Sequence, residues 1–337
     1  MCEEKQFVMH TINTQKKAQI SVFRHSKRTL KITNHRCIIM FTDIQFVQKY
    51  CKMPNGEGRF IKMRIVTLME NCGSEHKSLI NEHGLSFYIE HGNKKYLFDC
   101  GAGDGSLKNA RKLGIDLSCM DAVVLSHNHY DHAAGFRDFA ECGNKCGGLY
   151  TGGHFFEKKY ASSDGIKYCD LSSGISEEFL KEKDIRHIAC AEQMELSEGV
   201  YLISDFKRSH AFEGIPSRFV RETAEGMLQD DFSDEIAMVF ETEKGLVVLV
   251  GCSHPGILNM LTSIHDRLGK SIYALFGGTH LVEADEERIH STLEEFKRMG
   301  IEVLGMNHCS GQHAECMALE TEGIKECHLA VGDTIFI

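Results

Sequence analysis

The sequence predicts a layered α/β architecture with one site at the carboxyl ends of its strands. Two observations predict it. Four times an apolar strand runs into a short Gly, Ser or Asn turn that carries histidine, and a helix follows. Two hairpins, one in each half of the chain, repeat the same alternating design, which suits a fold of two packed αβ halves.

Met63-Arg-Ile-Val-Thr-Leu-Met69 opens the ordered pattern as a strand. Leu85–Glu90 and Lys95–Cys100 alternate around His91-Gly92-Asn93 as the first hairpin. The apolar run Asp121-Ala-Val-Val-Leu125 then ends in Ser126-His127-Asn128-His129-Tyr130-Asp131-His132, and a helix follows from Asp131 to about Ala140. Ile236–Glu241 and Leu246–Val250 form the second hairpin around Glu243-Lys244-Gly245. The second of these strands leads into Gly251-Cys252-Ser253-His254-Pro255-Gly256 and a helix over Ile257–Leu268. Strand Ser271–Phe276 precedes Gly277-Gly278-Thr279-His280 and a helix from about Glu283 to Met299. Strand Gly300–Gly305 precedes Met306-Asn307-His308-Cys309-Ser310-Gly311 and a last helix. Gly332-Asp333-Thr334 reads as the turn of a terminal hairpin.

The histidine string carries the chemistry. Left without partners, three imidazoles and a carboxylate at the end of a buried strand would be costly, and a bound metal resolves the conflict. In an extended segment His127 and His129 point the same way and can reach one ion. Asp131 and His132 turn away where the helix begins and can hold a second, and an acidic residue suits a helix's first turn. Two adjacent metal sites are the arrangement of metal-assisted hydrolysis. Asp99, at the end of its strand, is expected to brace this loop by hydrogen bonds.

The string, the later His254 and the terminal His308 resemble the metal signature of the metallo-β-lactamase superfamily. Glu82-His83-Gly84-Leu85-Ser86, Leu97-Phe98-Asp99-Cys100-Gly101, Gly245–Gly256, Gly277-Gly-Thr-His280 and His308-Cys309-Ser310-Gly311 are similar to one subgroup of its metal-dependent hydrolases, the 7,8-dihydropterin-6-yl-methyl-4-(β-D-ribofuranosyl)aminobenzene 5′-phosphate synthase-like proteins. The resemblance implies an α+β fold, a four-layer αβ/βα sandwich, with a dinuclear site at its edge and a metal-bound hydroxide as nucleophile. It implies two divalent metal ions, with zinc expected and iron or manganese as alternatives. The superfamily's His-Thr-Pro-Gly-His motif and its later Gly-Asp pair are absent. We assign His127, His129 and His254 to a first metal, and Asp131, His132 and His308 to a second. His280, Asp234, Glu235 and Cys252 are further donors able to bridge, complete a coordination shell or touch substrate. Asp131 and His280 are the expected catalytic groups, the first sharing a proton and the second steadying developing charge.

Composition bounds the rest. With 42% hydrophobic residues the chain can bury a full core. No apolar run approaches the roughly 18 residues of a membrane span, and the start Met-Cys-Glu-Glu-Lys does not read as a secretory signal, so the protein is expected in the cytoplasm. The 14 scattered cysteines form no Cys-x-x-Cys pair and read as free thiols. Cys142 and Cys146 read as bystanders in a glycine-rich turn.

Residues 1–62 carry 12 Lys+Arg against 4 Asp+Glu, whereas the remaining 275 carry 26 against 44. We read the first segment as a basic extension to a domain at 63–337, with natural translation beginning at Met63, because Gly56-Glu57-Gly58-Arg59 needs purine-rich codons just upstream. The acidic remainder would repel a phosphate backbone, which argues against a nuclease. Residues 147–233, with weaker periodicity, read as a cap over the site. There Lys207, Arg208, His210, Arg218 and Arg221 offer donors for an anionic small-molecule substrate, with His210, Arg218 and Arg221 preferred. A diiron oxygen or nitric-oxide reductase and a non-catalytic metal-dependent sensing module stand as rival functions to the hydrolase.

Overall fold

The computed structural model describes residues 63–75 and 78–337; the basic segment at 1–62 lies outside the described residues. Two seven-stranded sheets pack face to face. The first runs in the order His187–Cys190, Leu149–Gly152, Ala122–Val124, Lys94–Phe98, Ser86–His91, Met63–Met69 and Thr334–Phe336. The second runs Gln193–Ser197, Val200–Ile203, Ala237–Thr242, Gly245–Val250, Ile272–Gly277, Val303–Met306 and Lys325–Glu326. Each sheet is antiparallel at one end and parallel at the other, and the two hairpins read from the sequence sit at the junction in both.

Burial explains the layering. Phe87, Phe98, Val124 and Ile65 of the first sheet meet Leu202, Met238, Phe240, Leu249 and Phe276 of the second in one core. The outer face of the second sheet is covered by helices Ile257–Leu268 and Glu286–Arg298 through Leu261, Ile264, Leu293 and Phe296. The outer face of the first is covered by Gly105–Leu113, Gly135–Glu141 and Glu177–Glu182 through Leu107, Phe136, Phe139 and Phe179. The result is an αβ/βα sandwich of four layers. Val247, Val248, Leu249 and Val250 have no exposure, as a strand covered on both faces requires. Helix Ile257–Leu268 stops at Gly269, whose left-handed φ of 64° ends the ladder. Asp285 Oδ1 accepts from Arg288 N at 2.8 Å and caps Glu286–Arg298, so that helix starts later than the periodicity predicts, after a 3-10 turn at Leu281–Glu283.

Two expectations are corrected. The terminal strand Thr334–Phe336 forms no local hairpin; it pairs antiparallel with Met63–Met69, Ile335 opposite Ile65, so the end of the sequence closes an edge of the first sheet. Residues 147–233 are not one insert. Leu149–Gly152 and His187–Cys190 belong to the first sheet and Gln193–Ser197 and Val200–Ile203 to the second. Only Lys159–Ala161, Cys169–Asp170, Phe219–Thr223 and Gly226–Gln229 make a small separate sheet. Among the described residues every cysteine is a free thiol, and no helix is long and apolar enough to cross a membrane.

Candidate metal centre

Parallel strands bring their carboxyl ends to one edge, and the histidine-bearing turns leave from there. Ser126–His132 follows Ala122–Val124, Gly251–His254 follows Gly245–Val250, Gly278–His280 follows Ile272–Gly277, and His308 follows Val303–Met306. Asp99, Ser253, His280 and His308 hold left-handed φ of 57°, 61°, 51° and 54°, conformations that cost non-glycine residues about 1–3 kcal/mol each. The surrounding packing therefore over-determines these turns.

The rings cluster in two sets. His127 lies 4.6 Å from His129 and 5.0 Å from His254, centroid to centroid, and His129 lies 5.0 Å from His254. His132 and His308 approach to 3.2 Å between their Nε2 atoms, and His308 Nε2 lies 3.2 Å from Asp131 Oδ2. The sets adjoin through His127 and His132, whose centroids are 4.4 Å apart. Thus the structure brings together all six residues assigned from the sequence as metal ligands, although His127 and His308 are far apart in the chain.

Hydrogen bonds aim the rings. His132 Nδ1 donates to Asp99 Oδ2 at 2.7 Å, and the same carboxylate accepts from Ser126 N and Oγ. Ser126 Oγ in turn accepts from His127 Nδ1 at 2.9 Å. His308 Nδ1 donates to Asn71 Oδ1 at 2.9 Å, and Glu70 Oε1 holds the His308 amide at 2.6 Å. In each case the Nδ1 proton is engaged outward and Nε2 faces the cluster. Glu235 accepts from the Ser253 and His254 amides and so anchors the turn that carries His254.

The chemistry of this donor set fits a metal. His127 Nε2, His129 Nε2 and both ring nitrogens of His254 are buried without any protein partner, a cost of about 1–3 kcal/mol each. Burial holds the pKa values of His127, His129 and His254 well below the usual range, leaving neutral rings with free lone pairs. His132 differs: burial opposes its charge, yet Asp131 and Asp99 raise its pKa to about 9, a proton that a cation would displace. Burial and the Asp234 carboxylate push Glu235 up to about 8.

The remaining sequence candidates fall into place unevenly. His280 lies tilted against His254, ring centroids 4.6 Å apart, flanking the first set, and burial pulls its pKa down to about 4. Asp234 is taken by Lys159 Nζ at 2.8 Å and by the Asn128 amide, and Glu235 by two amides, and neither joins a candidate metal-holding set among the described residues. Cys252 does face it: Sγ lies 3.1 Å from His132 Nε2. Of the expected substrate donors, Arg218 is paired with Glu283, just beyond His280, and Arg221 with Glu157 and Asp231. Arg208 donates to the Asp231 carbonyl. His210 lies elsewhere. It bonds Thr262 and lines a pocket of about 500 Å³ with His265 and Met299, none of the clustered imidazoles taking part.

Sequence reasoning missed several neighbours. His83 Nε2, on a largely exposed side chain, lies 3.1 Å from Asp131 Oδ2. Phe232 stacks on His254 at 3.9 Å, and Phe219 packs at 5.9 Å from His129. Lys159 is buried beneath them against Asp230 and Asp234. The signal for His83 was its place in Glu82-His83-Gly84; Lys159 looked like any surface lysine.

A family model of the metallo-beta-lactamase superfamily matches residues 80–165. The 7,8-dihydropterin-6-methyl-4-(beta-D-ribofuranosyl)-aminobenzene-5'-phosphate synthase of Methanocaldococcus jannaschii is 30% identical over 272 residues, 78% of this chain and 92% of that one. An uncharacterised protein of the same organism, MJ0448, is 27% identical over 73% of this chain and 90% of its own length. Among solved structures, Tm1679, a metal-dependent hydrolase of the beta-lactamase superfamily, superposes with a TM-score of 0.69 and 28% identity, covering 81% of this chain and 98% of that one.

Proposed function

This chain belongs to the metallo-β-lactamase superfamily, and on that premise we propose that it is a dinuclear metal-dependent hydrolase of small molecules. One observation carries the reading: buried imidazole nitrogens without protein partners stand beside a buried carboxylate at the carboxyl ends of the strands. His127, His129 and His254 would hold one divalent cation and Asp131, His132 and His308 the other, with zinc the expected metal given the imidazole-rich set. When bound, the pair supplies a nucleophile at neutral pH by acidifying water and polarises the electrophilic oxygen of an ester, amide or phosphoester.

The chain's own groups do the rest. Asp99, Ser126 and Asn71 fix the imidazole tautomers. Asp131 receives the proton at Oδ2, within 3.1 Å of His83 Nε2, which opens toward solvent. His280 steadies charge at the rim beside His254. The relative's name attaches a dihydropterin and a ribofuranosyl phosphate to that protein; for this chain we propose an anionic small-molecule substrate with pterin-linked phosphoesters as the first probes. Arg218, beside Glu283, is the basic side chain we place near the substrate.

The test is metal content alongside turnover. Purified protein loaded with zinc should bind two equivalents and hydrolyse a member of a panel of esters, lactones, amides and phosphodiesters that includes pterin-linked compounds. Full loading without hydrolysis of any member would favour a sensing module instead.

A further inference from the structure

We propose that Cys252 is the ligand shared by the two metals, its thiolate bridging the ions at the centre of the cluster. The inference deepens the dinuclear reading and rests on it.

The position of the sulfur carries the argument. Cys252 Sγ belongs to two separate sets of donor atoms, one with His127 and His254 and one with His132 and His308, each set lying within 4.8 Å. No other described residue joins a set containing His127 or His254 to one containing His132. His132 Nε2 is 3.1 Å from that sulfur and 3.2 Å from His308 Nε2, separations that ligands about 2.0–2.3 Å from one ion can adopt. Cys252 is 4% exposed, and its neighbours are imidazole nitrogens, not the apolar side chains that usually surround a structural thiol.

The carboxylates that could play this part are engaged or absent. Asp234 holds Lys159 and the Asn128 amide, and Glu235 holds the Ser253 and His254 amides. The next strand end presents Gly278, where a Cβ would stand 2.5 Å from Cys309 Sγ and 2.6 Å from the Gly251 carbonyl, so no side chain fits. Cys309, whose Sγ donates to the Cys252 carbonyl at 3.5 Å, joins none of the donor sets that contain these histidines. The bridge forms by coordination alone: the thiol proton passes to solvent as the sulfur takes both ions, and nothing is oxidised. A sulfur at the centre also sets metal choice, favouring zinc, iron or cobalt over the harder manganese or magnesium.

The experiment uses the full chain titrated with Co(II), read by near-ultraviolet absorption and by bound cobalt per chain. The wild type should bind two cobalt ions and show a thiolate-to-cobalt charge-transfer band. Cys252→Ser should lose the band and bind the second ion roughly 10–100-fold more weakly. Cys252→Asp should restore the second ion without the band, which separates loss of a bridge from loss of the fold, and Cys309→Ser should keep both. Two bound cobalt ions with no band in the wild type, or a band of undiminished intensity in Cys252→Ser, overturns the bridge. An intact band with no hydrolysis of the substrate panel by zinc-loaded protein defeats only the hydrolase reading, whereas failure to bind cobalt at all overturns both.

Discussion

The Asp99 carboxylate accepts the Nδ1 proton of His132 at 2.7 Å, with both side chains fully buried. This bond leaves Nε2 as the only lone pair His132 can offer inward, and Asp99 holds the start of the histidine loop through Ser126 as well. Asp99→Asn should therefore weaken metal binding by about 10–100-fold without removing any proposed ligand. Zinc titration against a competing chelator checks it; unchanged affinity would show that the bond does not set the ring.

Asp131 meets His83 and His308 at 3.1 and 3.2 Å through one oxygen. Asp131→Ala should abolish measurable turnover and reduce bound metal, since it removes both a ligand and the proton acceptor. Metal analysis with steady-state kinetics on the best panel substrate decides it, and activity equal to wild type would refute the role.

Gly251 leaves no room for a methyl group: its Cβ would collide with Ser126 Oγ and come within 3.2 Å of His127 Nδ1. Gly251→Ala should displace His127 and lower metal occupancy. Some loss of stability, about 1–3 kcal/mol, should accompany it, as for other overpacked sites. Occupancy and melting temperature measured on the same sample distinguish this outcome from global unfolding.

Chelation should destabilise the fold. The unpartnered nitrogens of His127, His129 and His254 are satisfied only when something occupies the cluster, so ligand binding is linked to stability. We expect the melting temperature to fall after EDTA treatment and recover with zinc, rising with the logarithm of free metal concentration. A melting temperature indifferent to both would contradict the metal-holding role.

His328 lies 3.5 Å from both Glu70 and Glu315 and donates to the Met306 carbonyl, buttressing the turn that carries His308. Burial disfavours its charge, but the two carboxylates raise its pKa to about 11. Because the folded pKa is raised above the unfolded value, the stabilisation is complete below about pH 6.5 and is lost as pH rises toward 11. Denaturant melts at pH 7 and pH 10 should show a smaller decline for His328→Gln than for wild type; equal declines would remove His328 as its source.

Much of the site was legible because its donors are dense in the chain. His127, His129, Asp131 and His132 fall within six consecutive positions, and the period of the strands places His254, His280 and His308 at equivalent strand ends. The bracing role of Asp99 followed from the same logic. What local pattern could not supply was the choice among partners. Asp234 and Glu235 carry carboxylates as Asp131 does, yet packing turns one onto Lys159 and the other onto backbone amides. His210 sits in a basic stretch like Arg218, yet it faces Thr262.

By itself, the sequence determined a layered α/β fold with two hairpins and a histidine-rich edge, because strand and helix periods and the turn residues between them are local properties. The tertiary structure alone decided that Thr334–Phe336 closes on Met63–Met69, that His83 reaches Asp131, and that the Cys252 sulfur lies between two histidine sets. Those relationships join residues distant in the chain, as His132 and His308 are, 176 positions apart. They depend on how two sheets and their helices pack, and a short window of sequence does not encode that geometry.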